Sequence, residues 1–123
     1  MATRKKIDVL FVTLNKSDKD YSPTTMYNDY SINEKLFHWQ SQSTTADTSS
    51  TGQRYIHHVE SGSKVLLFVR EFKTDSGRVL PYTFLGLVKY MQHIGSKPMN
   101  IVWQLERSIP AKYLKKTNKL LVD

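Results

Sequence analysis

The hydrophobic positions of this chain fall mainly in strand patterns. Ile7-Asp8-Val9-Leu10-Phe11-Val12-Thr13-Leu14 is almost continuously apolar and β-branched, which predicts a central strand buried on much of both faces. Leu36 to Gln42 alternates, with Phe37 and Trp39 on one face and His38, Gln40 and Gln42 on the other. Lys64 to Phe72 is the strongest strand signal, and Asp75-Ser76-Gly77 behind it is a hairpin turn. Pro81 to Tyr90 returns as its partner, with Gly86 marking a bulge or bend. After a turn at Gly95 to Pro98, Met99, Ile101, Trp103 and Leu105 alternate cleanly onto one face.

Helical signals are fewer and shorter. Met26 to Tyr30 reads as one helical turn capped by Thr24 or Thr25. In Gly52 to Val59, Tyr55, Ile56 and Val59 are helically spaced, with Thr51 as the cap and Gly62 as the stop. A last helix opens at Pro110, a residue suited to the first helical position. Asn15 to Asp20 is a charged turn, and the polar run Ser43 to Thr51 predicts a mobile loop. At least five strands, two or three short helices, no βαβ alternation and no repeat define a mainly β (α+β) chain. A small, bent antiparallel sheet that closes or nearly closes into a pseudobarrel is the economical packing.

Length adds one constraint: 123 residues predict a single domain. Charge adds another. With 18 basic and 11 acidic residues the chain carries a net +7, which favours a polyanionic partner, nucleic acid ahead of an anionic membrane surface. There is no cysteine, so disulfides and thiolate metal sites are excluded, and a reducing cytoplasm fits. No apolar run approaches the ~20 residues that span a bilayer, so no membrane partner is expected. The charged stub Met1 to Lys6 runs directly into a strand, as in a domain excised from a larger protein.

The candidate site follows from the polar face of Leu36 to Gln42. An imidazole and two carboxamides each offer a donor and an acceptor, the groups that read base edges. His38, Gln40 and Gln42 are the candidate readers, with Ser41 between them; Trp39 is core by its pairing with Phe37 or a platform for a base. An ordinary solvated strand face is the competing reading of the same residues. Lys112, Lys115, Lys116 and Lys119 follow i, i+3, i+4, i+7 and form one helix face for phosphates, or a solvated lysine face. Arg54 and Lys97 complete the candidate set. Enzyme signals are weaker. Glu71-Phe72-Lys73 matches the E-x-K element of metal-dependent nucleases, but the nearest acids, Glu60 and Asp47, stand at no convincing strand end. His57 and His58 point in different directions, and His38 with His93 would need the fold to unite them. No Gly-rich phosphate loop and no cofactor motif is present.

The segments Leu36–Gln42, Thr51–Ile56, Leu67–Glu71, Pro81–Gly86 and Gly95–Met99 resemble one family. It is the domain of unknown function at the C-terminus of bacterial superfamily II (DEAD/DEAH-type) helicase-like proteins, some of which carry a phospholipase-D-type nuclease domain. The resemblance spans about Asp8 to Leu120. It implies DNA handling in restriction or defence, with helicase and nuclease domains of a parent protein as partners and any ATPase outside this chain. By analogy, restriction systems append pseudobarrels of PUA/SRA-like or restriction-enzyme effector-domain-like type that read DNA or a modified base. The expectation is a non-catalytic DNA-binding module that targets a helicase or nuclease. A protein–protein docking module of the helicase complex and an E-x-K nuclease are the alternatives.

Overall fold

A computed structural model describes residues 6–15 and 29–114. Its strands are β1 (Ile7–Thr13), β2 (Tyr30–Ser31), β3 (Leu36–Gln40), β4 (Lys64–Arg70), β5 (Thr74–Asp75), β6 (Arg78–Val79), β7 (Thr83–Ile94) and β8 (Asn100–Leu105). Two short helices, α1 (Ser50–Ile56) and α2 (His58–Ser61), lie between β3 and β4. Six strands form one curled half-barrel sheet in the order β1-β4-β7-β8-β3-β2, and β5-β6 is a separate hairpin. The mainly β, bent-sheet expectation therefore describes the fold.

Alternation decides which way each strand faces. Val65, Leu67 and Val69 of β4 point inward and are fully buried, together with Met99, Ile101 and Trp103 from the β8 segment. Phe37, Val12 and Val88 close the same core. The pairing is antiparallel except between β1 and β4, which run parallel from Ile7↔Lys64 to Thr13↔Arg70. Parallel neighbours need a long crossover, and the whole stretch carrying β2, β3, α1 and α2 supplies it.

Two irregularities curl the sheet. Opposite Leu67 and Phe68 the β7 register jumps from Gly86 to Phe84. Gly86 takes φ 113° there, a value only glycine adopts easily, so the bulge expected at Gly86 is where the sheet bends. A second shift, between Tyr90 and Gln92, bends β7 against β8. The hairpin turn at Ser76 and Gly77 has positive φ at both residues, 52° and 81°, the type I′ pattern that matches strand twist.

Several expectations change. β1 is an edge strand, not a central one: only its inner residues are buried, while Ile7, Val9 and Phe11 are exposed. Period-2 patterning cannot distinguish an apolar outer face left bare from one covered by another layer. The strand at Leu36 stops at Gln40, and Ser41 and Gln42 lie beyond it. Tyr30 belongs to β2, and Met26 to Asn28 of the expected turn lie outside the described residues. Residues 43–49 are not a mobile loop but a series of hydrogen-bonded turns. Thr45 N–H donates to Gln42 O at 3.0 Å, Ser49 N–H to Ala46 O at 3.1 Å, and Lys97 N–H to Thr45 O at 2.9 Å.

The helix cap is Ser49 rather than Thr51: its Oγ accepts from Gly52 N–H at 3.1 Å. Gly62 ends α2 with φ 78°, as expected. Gly52 is buried because α1 starts directly against the turn before it. A Cβ at this position would overlap Ala46 O and stand 3.0 Å from Asp47 Cα. Gly to Ala inside a helix ordinarily stabilises by about 1 kcal/mol. Here Gly52→Ala is expected to destabilise by about 1–3 kcal/mol through overpacking. Urea denaturation of the two proteins checks it, and an unchanged or raised midpoint would show that residues 46–47 yield easily.

Candidate functional site

The half-barrel has a seam, because β1 stands at one end of the sheet and β2, beside β3, at the other. Along β1, Lys6 O accepts from Lys64 N–H at 3.0 Å and Leu14 N–H donates to Arg70 O at 2.9 Å. Even-numbered residues thus bond to β4. The backbone groups of Ile7, Val9, Phe11 and Thr13 turn to the open side, where they have no recorded backbone partner among the described residues. Facing this edge are the end of β3, the following turns and the first turns of α1. The space between is a cleft of about 600 Å³. Val9 to Phe11 form one wall, Trp39 to Gln42 the other, and Thr44, Thr45, Thr51 and Tyr55 complete it.

The aromatic part of the lining is packed ring on ring. Trp39 and Tyr55 meet edge-to-face at 5.5 Å and 87°. Both lean on buried Trp103, at 6.2 and 5.9 Å. Burial, reinforced by the nearby Asp8 carboxylate, pushes the Tyr55 phenol above its usual pKa, so at neutral pH it keeps its proton as a donor. The rest of the lining is hydroxyl and carboxamide. The cleft thus sets aromatic surface beside hydrogen-bonding groups.

The candidate readers divide. His38 and Gln40 lie on the outer face of β3, opposite Phe37 and Trp39, as the alternation predicts. His38 stacks on Tyr30 at 4.7 Å and 15°, which ties β2 to β3. Gln40 Nε2 donates to Asn100 Oδ1 at 3.2 Å, and its backbone N–H donates to Asp29 Oδ1 at 2.9 Å. Ser41 is buried: its Oγ accepts from Met99 N–H at 2.8 Å and donates to Gln42 O at 3.1 Å. Gln42 is exposed, and its carboxamide makes no hydrogen bond among the described residues. Lys97 is exposed in the β7–β8 turn, where its own N–H and Ser96 Oγ, accepting from Asp47 N–H at 3.0 Å, join that turn to residues 45–47. Its backbone therefore adjoins the turn that carries Thr44 and Thr45.

Two other candidates are engaged elsewhere. Arg54 Nε and a terminal nitrogen donate to both Asp8 oxygens at 2.8 and 2.9 Å, a bidentate pair with the side chains 25% and 15% exposed. The Asp8 hydrogen bond raises the arginine pKa further. This pair clamps α1 to β1, and a basic residue in a motif segment carries no sign of its partner. Lys112 stands 3.6 Å from Glu71, away from the cleft. Lys115, Lys116 and Lys119 lie outside the described residues.

The nuclease element does not assemble. β4 ends at Arg70, so Glu71 and Lys73 share no strand face. Glu60 faces His57 at 3.2 Å and Asp47 faces His93 at 3.4 Å. Among the described residues no group of three or more His, Asp or Glu is placed to hold a metal. His58 is a core residue: Nδ1 donates to Ser63 O at 3.2 Å and Nε2 accepts from Tyr90 N–H at 3.0 Å, a pattern that requires one neutral tautomer. His93 joins Tyr90 Oη at 2.7 Å, not His38. The sequence reading missed Tyr55, Thr44, Thr45 and the β1 edge, because a cleft between strands distant in the chain has no local signature.

The sequence model of a family described as a domain of unknown function (DUF3427) matches residues 2–116. No curated protein matches the chain.

Arg54→Ala leaves the largely buried Asp8 carboxylate without its partner. The expected loss is about 1–3 kcal/mol of stability, read by chemical denaturation. An unchanged midpoint would mean that water replaces the pair at no cost.

Proposed function

The chain belongs to a family of unknown function, DUF3427, and we propose that it is a non-catalytic DNA-binding module. The cleft at the barrel seam carries the reading. It combines the Trp39 and Tyr55 rings packed on Trp103, a row of hydroxyls and the exposed Gln42, and the exposed Lys97 lies in the β7–β8 turn whose backbone bonds to Thr45. Phosphate contacts position such a module and carboxamides discriminate bases. Lys97 supplies the first kind of group and Gln42 the second, and the net charge of +7 strengthens attraction to a polyanion. In a parent protein of the helicase-like type that the sequence resembles, the module would bring a helicase or nuclease to its DNA. The partnered positions of Gln40, Ser41 and Arg54 narrow the bet to Gln42 and Lys97, with Trp39 and Tyr55 behind them.

Fluorescence anisotropy with labelled duplexes, modified bases included, tests this. Binding is expected at ~50 mM salt and should weaken steeply as salt rises. Lys97→Ala should lower affinity for all sequences alike and reduce the slope of log K against log salt by about one. Gln42→Ala should narrow the preference between duplexes by about 1–3 kcal/mol at unchanged thermal stability. Absence of binding to every duplex at low salt would sink the reading.

A further inference from the structure

The outer face of the sheet, away from α1 and α2, is apolar where β1, β4 and β7 lie side by side. The registers align Val9, Leu66 and Leu87 in one row and Phe11, Phe68 and Phe84 in the next. The rings touch across the strands: Phe11–Phe68 at 5.3 Å, Phe68–Phe84 at 4.9 Å and Phe11–Tyr82 at 5.0 Å. Leu66, Phe68 and Leu87 are partly covered by their neighbours, and the flanking side chains are exposed. Ile7 is 65% exposed, Phe11 59%, Phe84 45% and Val9 41%. Single exposed apolar residues are ordinary, but contiguous rows of them mark interaction surfaces. A sheet face of this kind is stable when another layer covers it, and a helix is the usual cover.

Cations predominate around the rows. Lys64 and Lys89 stand at one end, next to the Val65–Val88 pair, and Arg70 at the other. Arg70 is held in place by Thr13 Oγ1 at 2.9 Å and Leu80 O at 3.1 Å, with its guanidinium 4.2 Å over the Tyr82 ring. None of the three cations forms an ion pair among the described residues. The only carboxylate of β1, Asp8, points inward to Arg54. Glu106, exposed where the chain continues β8, donates its N–H to Leu87 O at 3.3 Å and so adjoins the Val9–Leu66–Leu87 row at its β7 side, beside Lys64 and Lys89.

We infer that this face docks an amphipathic helix of a partner protein, with apolar side chains over the two rows and acidic residues towards both ends. Charge complementarity chooses this occupant over a second copy, whose identical face would bring lysine and arginine ends together. Lys64 and Arg70, six residues apart on one strand, are separated by about 20 Å, the length of about 13 helical residues. The two contacts would therefore fall on acidic residues that far apart. The face lies away from Trp39 and Tyr55 and shares with the cleft only its β1 wall, at Val9 and Phe11.

The probe is a synthetic helical peptide of about 14 residues, with leucine at i, i+3, i+4 and i+7 and glutamate at both ends. The same peptide with lysine ends is the control. Titrated into the isotope-labelled full chain, the glutamate peptide should shift amide resonances of residues 7–13, 66–70 and 84–87 and leave 42–45 unmoved. The joint change Lys64→Glu and Lys89→Glu should weaken it about tenfold or more, and the lysine peptide should bind the altered protein better than the original. Phe11→Ser with Phe84→Ser should abolish binding; circular dichroism establishes that it folds, and Ile7→Ser with Val9→Ser serves if it does not. No shifts at ~1 mM peptide, or equal affinity for both peptides, overturns the inference. So does sedimentation showing a dimer that the Phe11→Ser, Phe84→Ser protein no longer forms, since a second copy would then cover the face.

Discussion

Trp103 is the contact on which the arrangement depends. It is fully buried on β8 and touches a ring from each neighbouring layer. Trp39 of β3 lies at 6.2 Å, Tyr55 of α1 at 5.9 Å, His58 of α2 at 5.8 Å and Tyr90 of β7 at 6.4 Å. Three of those neighbours have polar tips that are themselves held or protonated, so the cluster fixes orientation as well as burying area. The indole Nε1–H has no hydrogen-bond partner among the described residues. The ring makes T-shaped contacts with Tyr55 and Tyr90, at 85° and 82°. Without this residue the helices would have no common anchor on the inner face of the sheet.

The cleft is a consequence of that packing. The bulges at Gly86 and at Met91 curl the sheet around the aromatic cluster, but the strand order leaves β1 without a second neighbour. The Arg54–Asp8 pair then sets how far α1 stands from β1. The turns of residues 43–49, stitched to the β7–β8 turn, set the opposite wall. A charged pair and a run of polar turns therefore define a space that core packing alone would have filled. The outer face is the counterpart: the strands that line the seam on one side present uncovered aromatic rows on the other.

The sequence by itself determined which residues alternate and hence the faces of most strands. Met99, Ile101, Trp103 and Leu105 point inward because apolar residues two apart must share a face, whatever the sheet order. The hairpin at Ser76-Gly77, the bend at Gly86 and the helix stop at Gly62 were legible for a related reason, since their backbone angles are local and favour particular residues. Phe37 and Trp39 inside, with His38 and Gln40 outside, followed from the same rule. Only the tertiary structure decided what lies beyond each face. Nothing near Ile7 to Leu14 tells that its neighbour on one side is missing, because strand order is fixed by pairings with residues more than fifty positions away. The fates of Gln40, Ser41 and Arg54 were equally hidden: a side chain free in sequence terms is engaged once Asn100, Met99 or Asp8 arrives beside it. The cleft and the bare aromatic rows exist only after those long-range pairings have formed.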